Sequence, residues 1–465
     1  MPGCNKDPNL SKFEQVRSGG KPKPDASRLL AFDLISQVNR EGAFANIRLP
    51  ELLRASELAK RDRAFVTELS YGTLRMQGKH DFAIRAKIDR PFEELDPKIL
   101  DLLRMGIHQI FEMRVPLHAA VSETVELARR VVGESKGSYV NALLRSISSD
   151  EHIYERLAID ESVSELAKMS VRYSHPEWII SAFHDQLRDW AAVEELLQAN
   201  NTPAKPNIVT WPGKSTVAEI LETGGTPLSL SDYGVLSDHL PNEYPAIRDK
   251  RAGIQDVGSQ LVTEIFYATN ALGDSQSWLD LCAGPGGKAA LLYNLLLSDG
   301  RESDFLANEP TEHRAELVAR VIPRDHIAQL DGRDNKSFGR KFNRILIDAP
   351  CTGLGALRRR PEARWRKSLQ DLKELVPLQR SLIDSAYEML EPGGVIGYAT
   401  CSPHLAETTA QVLDAQHRHQ DLQVLDISTI SPRGATGVKL DGTLQLWTHL
   451  NGSDAMFLAL LRKPF

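Results

Sequence analysis

The sequence predicts three structural parts in one chain: an all-α helical domain, a small α+β lobe, and an α/β domain of the doubly wound, Rossmann-like kind. Three observations carry this. Apolar residues recur at helical spacing from residue 25 to about residue 150. After Thr202, prolines and glycines break the chain into short apolar pieces. From about Ser259, short apolar runs alternate with helical windows, the rhythm of a parallel sheet covered by helices on both faces.

Taken in order, residues 1–24 lack apolar periodicity and hold Gly19, Gly20, Pro22 and Pro24, the composition of a flexible tail. In the helical domain, residues 25–150, Ala31, Leu34, Ile35 and Val38 fall on one helical stripe. Leu103, Ile107, Ile110 and Phe111 form a second, and Val121, Val125, Ala128 and Val132 a third. Residues 151–258 comprise a helical linker and the small lobe. Helices are expected at Glu165–Tyr173, Glu177–Leu187 and Trp190–Ala199, then short strands such as Asn207–Trp211 between Pro203, Pro206, Pro212, Gly213, Gly224, Gly225 and Pro227. This lobe is expected to pack on the α/β domain rather than to stand alone. In residues 259–465, strands are expected at Ser277–Cys282, Phe305–Asn308, His326–Leu330, Arg344–Asp348 and Val395–Thr400. Helices are expected at Lys288–Leu297, Glu312–Val321, Gln379–Leu390 and Ala406–His417, and a closing hairpin at Leu444–Leu446 and Ala455–Leu461.

Composition narrows the function classes. A chain of 465 residues allows two to four domains at about 100–200 residues each. Hydrophobic residues at 42% and charged residues at 25% exclude collagen-like, disordered and disulfide-scaffold classes. No apolar run approaches the ~20 residues that span a bilayer, so no membrane association is expected. The N-terminal stretch has no apolar core of a secretory signal, so reduced thiols and a cytoplasmic location are expected. Cys4, Cys282, Cys351 and Cys401 form no Cys-x-x-Cys pair, and the 13 His show no ligand spacing, so no metal is expected. A net charge of −6 does not announce a nucleic-acid partner. One local patch does: Arg358 to Lys367 holds six bases and one acid. With Trp365 inside it, this patch suits RNA-phosphate contact.

The strongest chemical signal is Leu279-Asp-Leu-Cys-Ala-Gly-Pro-Gly-Gly-Lys288, an apolar strand running into three glycines and then a helix. Ligands of doubly wound folds sit at such strand ends, where glycines let backbone approach the ligand. A phosphate-binding P-loop is excluded because Ala289, not Ser or Thr, comes after Lys288. The dinucleotide fingerprint is only half matched. An adenosine cofactor without a phosphate fits better, and S-adenosylmethionine is one. Glu309, Asp331 and Asp348 close the next three strands, where carboxylates can accept ribose hydroxyls and the adenine amine. Two further motifs, Asp348-Ala-Pro-Cys-Thr-Gly-Leu-Gly355 and Tyr398-Ala-Thr-Cys-Ser402, each put a cysteine just past a strand on that same rim. Methylating an unactivated pyrimidine carbon needs a thiolate to add to carbon 6, and a base to remove the carbon 5 proton so that the thiol can leave. Spacing alone does not rank Cys351 against Cys401. Cys282, inside the first strand end, suits packing or loop backbone.

Asp280–Lys288, Asp348–Gly355 and Tyr398–Ser402 resemble the RNA cytosine-5 methyltransferases of the RsmB/Sun/Nop family, as does Leu357–Trp365 after the proline–cysteine motif. Arg28–Asp150 resembles a NusB-type RNA-binding domain, with Ala45-Asn46, Asp62-Arg63, Tyr71-Gly72 and Asn141–Arg145 as landmarks. The resemblance implies Cys401 as nucleophile and Cys351 as the residue that assists product release. It implies a cofactor site of Cys282, Ala283, Gly284, Pro285, Gly286, Gly287 and Lys288, completed by Glu309, Asp331 and Asp348, with Asp348 also near the base. Arg358, Arg359, Arg360, Arg364 and Trp365 are expected to contact RNA. Two departures stand out: the second-strand acid is Glu309 where the family usually has Asp, and Gly284 stands where Ala is common. The expectation is therefore a cytoplasmic methyltransferase forming 5-methylcytosine in small-subunit rRNA through a cysteine–cytosine intermediate. It needs no metal and no obligate protein partner. The alternatives are a tRNA cytosine-5 methyltransferase and a non-catalytic RNA-binding or ribosome-assembly protein.

Overall fold

The structure is a computed structural model that describes residues 25–150, 152–270, 277–431, 433 and 437–465. The tail expected at residues 1–24 lies outside the described residues. The chain divides into two compact units, one of residues up to 43, 47–73 and 84–151, the other of 44–46, 74–83 and 152–465.

The first unit is helical. Its helices Ala26–Glu41, Pro97–Phe111, Leu117–Val132 and Glu134–Ser148 turn the three apolar stripes inward, with Ala31, Leu34, Ile35, Leu103, Ile107 and Ala128 all buried. Asp25 starts the first helix by accepting the Ser27 amide at 2.8 Å, which satisfies one of the free N–H groups of the first turn. A buried acid, Asp101, accepts from Asn39 (2.7 Å) and Ser36 (3.2 Å) and lies 3.6 Å from Arg104. Gly72, in the helix Lys60–Arg75, lies against the buried ring of His108 so closely that a Cβ would overlap Nε2.

The second unit contains two sheets. Strands β1 (Asn207–Thr210), β2 (Thr226–Pro227), β3 (Gly234–Leu236) and β4 (Ala252–Ile254) make a small antiparallel sheet in the order β2-β3-β1-β4. It rests on the large domain through Val209 and Trp211, which pack with Ala290, Leu291 and Leu295 of the helix Gly287–Ser298. The large sheet holds β5 (Trp278–Asp280), β6 (Phe305–Asn308), β7 (Ile327–Ala328), β8 (Phe342–Asp348), β9 (Leu390–Thr400), β10 (Gln423–Leu425), β11 (Leu444–Gln445) and β12 (Phe457–Arg462). Its order is β10-β12-β9-β8-β5-β6-β7, with β11 paired to β12. Strands β5 to β9 run parallel, and β12 enters antiparallel beside β9. The sheet is thus mixed, and its topology reverses between β6 and β8 on either side of β5, the switch point where ligands of such folds bind.

Alternate side chains of the strands feed two cores. Trp278, Leu346 and Val395 join Leu261, Ile265, Phe266, Leu292 and Leu296 on one face. Leu279, Ile345, Ile347 and Ile396 join Leu382, Ile383 and Ala386 on the other. Burial on both faces explains why these strands read as continuous apolar runs. The structure extends several expected elements. The helix expected at Gln379–Leu390 spans Leu369–Met389 because Ser368 and Asp371 form a reciprocal cap at its start and Pro377 is carried inside it. Strand β9 begins at Leu390, and β10 falls where no strand is expected from the sequence. The expected helix Ala406–His417 starts at Thr409, after a single tight turn over Leu405–Glu407.

The close approach of Gly72 to His108 makes a direct test. Gly72→Ala is expected to destabilise the helical unit by about 1–3 kcal/mol through overpacking. A shift of the urea midpoint reads this out, and an unchanged midpoint would show that the His108 ring has room to move.

Candidate active site

The rim at the carboxyl ends of β5, β8 and β9 gathers most of the expected residues. After Asp280 the chain turns through Leu281–Gly286 into the helix Gly287–Ser298. Two backbone bonds pin this loop: the Leu281 amide to the Leu346 carbonyl (2.8 Å) and the Ala283 amide to the Asn308 carbonyl (2.9 Å). The buried Asn308 side chain donates to the carbonyls of Leu281 (3.1 Å) and Leu330 (3.0 Å), and accepts the Leu330 amide (2.9 Å). It therefore ties together the ends of β5, β6 and β7. Sequence reasoning missed Asn308; an amide as the last residue of an apolar strand is the signal that could have found it.

Three acids lie around the loop in different states, and a fourth stands away from it. Asp280 has 0% exposure, and burial, with Asp348 beside it, pushes its carboxyl up to about 8. Asp348 pairs with Lys288 at 2.9 Å. Burial pulls the Lys288 ammonium down, but Asp348 more than offsets this and holds it above its ordinary value. Glu309 is buried beside the loop, 3.3 Å from Arg314, whose guanidinium also donates to the Gly284 carbonyl. Asp331 stands apart, exposed, with both oxygens engaged by Arg333, which holds its carboxyl down at about 2.

The two rim cysteines meet. Cys351 Sγ lies 3.4 Å from Cys401 Sγ. Their loops are fastened to each other and to the chain entering β12: the Gly355 amide donates to the Cys401 carbonyl (2.8 Å), and the Ala455 amide to the Gly355 carbonyl (2.9 Å). The hydrogen bond from Cys351, with Lys288 and Arg360 nearby, lowers the Cys401 thiol below its ordinary range. The same bond, together with burial and Glu407, drives Cys351 well above it. Of the two thiols, Cys401 is therefore the one more easily ionised and Cys351 the one that holds its proton more tightly. Cys282 is half-buried among Leu279, Ile347 and their neighbours, and burial beside Asp280 pushes its thiol far up, so it stays neutral.

A network behind the cysteines was not read from the sequence. Glu407, fully buried, accepts the Thr352 amide (2.8 Å), the Thr352 hydroxyl and the Gln379 amide (3.1 Å). Thr352 and Ser402 hydroxyls lie 3.0 Å apart. An acid six residues past the second cysteine, in a turn, carried no sequence signal of its burial.

The basic run departs from expectation. Arg364 has 0% exposure, and its guanidinium donates to the carbonyls of Arg75 (3.1 Å), Ser174 (3.2 Å) and Asn200 (2.9 Å) and to Asn201 Oδ1 (2.8 Å). A side chain with no exposed surface cannot reach a phosphate, so Arg364 is a core residue. Arg359 is clamped by Asp256 and Asp454. Arg358 is mostly buried and donates to the Gly452 carbonyl at 2.9 Å, and Trp365 is half-buried with its indole N–H turned inward. Of the five residues expected to contact RNA, Arg360 alone is exposed.

The residues fit S-adenosylmethionine. Gly284, Gly286 and Gly287 leave the backbone of the loop bare, and a Cβ at Gly284 would overlap Glu309 Oε2, so the acid occupies the space that the loop leaves open. Among the described residues, no cluster of His, Cys, Asp and Glu could hold a metal ion, and no helix is long and apolar enough to cross a membrane.

Comparisons with known proteins bear on the family and the fold. The NusB family model matches residues 25–149 and that of the 16S rRNA methyltransferase RsmB/F matches residues 268–462. The chain is 42% identical over 456 residues to a Mycobacterium tuberculosis protein named only as a methyltransferase, covering 96% of this chain and 98% of that one. It is 28% identical over 451 residues to the ribosomal RNA small subunit methyltransferase B of Pectobacterium carotovorum, covering 94% and 98%. The crystal structure of PH0851 superposes with a TM-score of 0.77 at 19% identity, over 96% of this chain and 100% of that one. That of NSun6 from Pyrococcus horikoshii with SFG, an S-adenosylmethionine analogue, gives 0.50 at 16% identity over 62% and 98%. At these identities the structural likeness is one of fold.

The buried acid and the tight glycine each make a test. The Asp280 carboxyl, near 3.9 in an unfolded chain, is raised to about 8 in the fold, so the folded state keeps a proton that the unfolded chain releases. Stability is therefore expected to fall as pH rises from about 4 toward 8, and Asp280→Asn to remove that slope. Thermal midpoints of both proteins from pH 5 to 8 check this; parallel curves would discount the buried acid. Gly284→Ala is expected to weaken S-adenosylmethionine binding by about tenfold or more, because Glu309 must move. Adding Glu309→Asp should recover most of the loss. Calorimetric titration of the three variants measures the coupling, and simple additivity would show the two positions to be independent.

Proposed function

The chain belongs to the family of 16S rRNA methyltransferases RsmB/F, and from that premise we propose that it forms 5-methylcytosine in small-subunit ribosomal RNA through a covalent cysteine–cytosine intermediate. Dependence on S-adenosylmethionine and action on RNA come with the family. The cytosine, and the roles of the two thiols, are the further step. The observation that carries it is the pair of thiols 3.4 Å apart, beside the glycine-rich loop and its Lys288.

Cys401 Sγ, as thiolate, adds to carbon 6 of the cytosine ring, and the electron pair displaced from the C5–C6 double bond makes carbon 5 nucleophilic. S-adenosylmethionine, held at the glycine-rich loop, would supply an electrophilic methyl group for carbon 5 and leave as S-adenosylhomocysteine. The carbon 5 proton then passes to a base, the double bond re-forms, and the C6–S bond breaks to return the Cys401 thiolate. Cys351, within contact distance of the attacking sulfur, serves this release step as the base: once Cys401 is bonded to carbon 6, Cys351 gives its own proton to solvent and, as thiolate, takes the carbon 5 proton. Lys288 and Asp348 hold a fixed positive–negative pair at the loop, with Lys288 favouring the thiolate of Cys401. Arg360, exposed past the Cys351 loop, is the most open base of the run and is offered to phosphate.

The roles of the thiols are separable. Cys351→Ala should accumulate an RNA adduct that survives denaturing electrophoresis when RNA and S-adenosylmethionine are both supplied. Cys401→Ala should give no adduct and lose methyl transfer by more than about ten-thousandfold. An adduct with Cys401→Ala and none with Cys351→Ala would reverse the roles. Bisulfite sequencing of 16S rRNA, with and without the gene, tests the base itself; an identical pattern in the two would reject cytosine-5 of that RNA.

A further inference from the structure

When one of two thiols in contact ionises, something must decide which of them keeps its hydrogen. The structure offers a candidate in Glu407. It lies in the tight turn Leu405–Glu407 between β9 and the helix Thr409–Arg418, with none of its surface exposed. Its carboxylate faces three donors: the Thr352 amide (2.8 Å), the Thr352 hydroxyl and the Gln379 side-chain amide (3.1 Å). Among the described residues no cation pairs with it. Such a setting, all donors and no acceptor, suits the anion. Thr352 comes directly after Cys351, and Gln379 also donates to the carbonyl of Pro350, which directly precedes it (2.8 Å). Cys401 is linked less directly, through Ser402 and its 3.0 Å contact with the Thr352 hydroxyl. The Tyr398 hydroxyl donates to the Glu407 carbonyl at 2.8 Å and fixes the turn.

The charges around the pair are correspondingly uneven. Lys288 and Arg360 favour the ionised form of Cys401, and Asp348 opposes it. Glu407, bonded to the residue directly after Cys351, and Asp348 both oppose ionisation of Cys351. His404, next to the turn, is kept neutral by burial, with Glu407 and Asp185 acting against this. Asp348 bears on both sulfurs, so it does not distinguish them. Glu407 and the two cations do.

We propose that Glu407 is a positioning residue that assigns the hydrogen between the two thiols: its charge holds the proton on Cys351 Sγ, so that Cys401 is the sulfur free to attack. The proton given up by Cys401 on ionising goes to solvent, and the S–H of Cys351 turns toward the thiolate. This rests on the two-thiol reading above and adds what selects between its members. An opposite or like charge a few ångströms away moves a thiol by about 1–3 pH units, enough to set the order of two otherwise similar groups.

Alkylation tests this without RNA. The full chain is treated with iodoacetamide between pH 6 and 10, and labelling of each cysteine peptide is followed by mass spectrometry. In the wild type, Cys401 is expected to label faster than Cys351 by about tenfold or more at pH 7.5. Glu407→Gln, which keeps the shape and removes the charge, should lower the Cys351 midpoint by about one pH unit or more and shrink that ratio about tenfold. Thr352→Val, which keeps the charge and removes the hydroxyl bridge, should leave the ratio within about twofold. Binding of S-adenosylmethionine reports that each variant is folded. Should Glu407→Gln fail that check, Glu407→Asp, which draws the charge back by one methylene, must still shrink the ratio. Cys351 labelling first in the wild type, an unchanged ratio on removing or withdrawing the charge, or an equal change in Thr352→Val would each overturn the proposal. Because no RNA is present, the result stands apart from whether the methylated base is cytosine.

Discussion

The pairing of β8 with β9 sets Asp348 opposite Ala399, and from that register two loops leave the sheet side by side. Cys351 comes three residues after Asp348 and Cys401 two after Ala399, which is how two sulfurs 50 positions apart come to lie 3.4 Å from each other. Side chains alternate faces along a strand, so a slip of one residue would exchange Leu346 with Ile347 between the two cores and carry one loop out of reach of the other. The apolar filling of both faces therefore does more than stabilise the sheet. It fixes the register, and the register fixes the distance between the thiols.

Around that contact the fold keeps an unusual number of acids out of water. Asp280 and Glu407 are fully buried, and Glu309 is nearly so. Each is made tolerable in a different way. Asp280 takes up a proton, Glu309 is paired with Arg314, and Glu407 is surrounded by donors. The first is the least expensive for a buried carboxyl and the last the most directional. With the Asp280 carboxyl pushed toward its neutral form, Asp348 is the anion that Lys288 pairs with. The raised Asp280 carboxyl and the lowered Cys401 thiol are in this sense parts of one charge arrangement, since Lys288 acts on both.

Much of this was legible in the sequence, for physical reasons that differ by element. Strands buried on both faces leave apolar runs, and β5, β6 and β8 were accordingly found close to their observed ends. Three glycines after a strand have few explanations, and the loop lies where they placed it. The start of the helix at Leu369 was missed because Pro377 reads as a breaker, whereas the reciprocal Ser368–Asp371 cap outweighs it. Strand β10 was missed because three residues, only partly buried, carry no period. Glu407 and Asn308 were missed for another reason: each is a polar residue whose partners are far away in the chain, and burial of a polar group is decided by those partners.

The basic run shows the same limit from the opposite side. Arg358, Arg359, Arg360 and Arg364 look alike as charges in a sequence. In the fold, Arg364 is spent on carbonyls at the ends of helices, Arg359 on Asp256 and Asp454, and Arg358 on the Gly452 carbonyl, leaving Arg360 to solvent. The guanidinium group serves both uses because it carries five donors in a rigid fork, which can satisfy several backbone carbonyls as readily as a phosphate. A cluster of arginines beside a catalytic loop is thus two kinds of evidence at once. Its buried members hold the chain that follows the Cys351 loop, and of these four Arg360 is the one open to an RNA strand. The same dependence on a distant partner governs Gly284 and Glu309. Taken one at a time, each is a departure from the family's common residue; in space, the missing Cβ of one is the room for the longer side chain of the other.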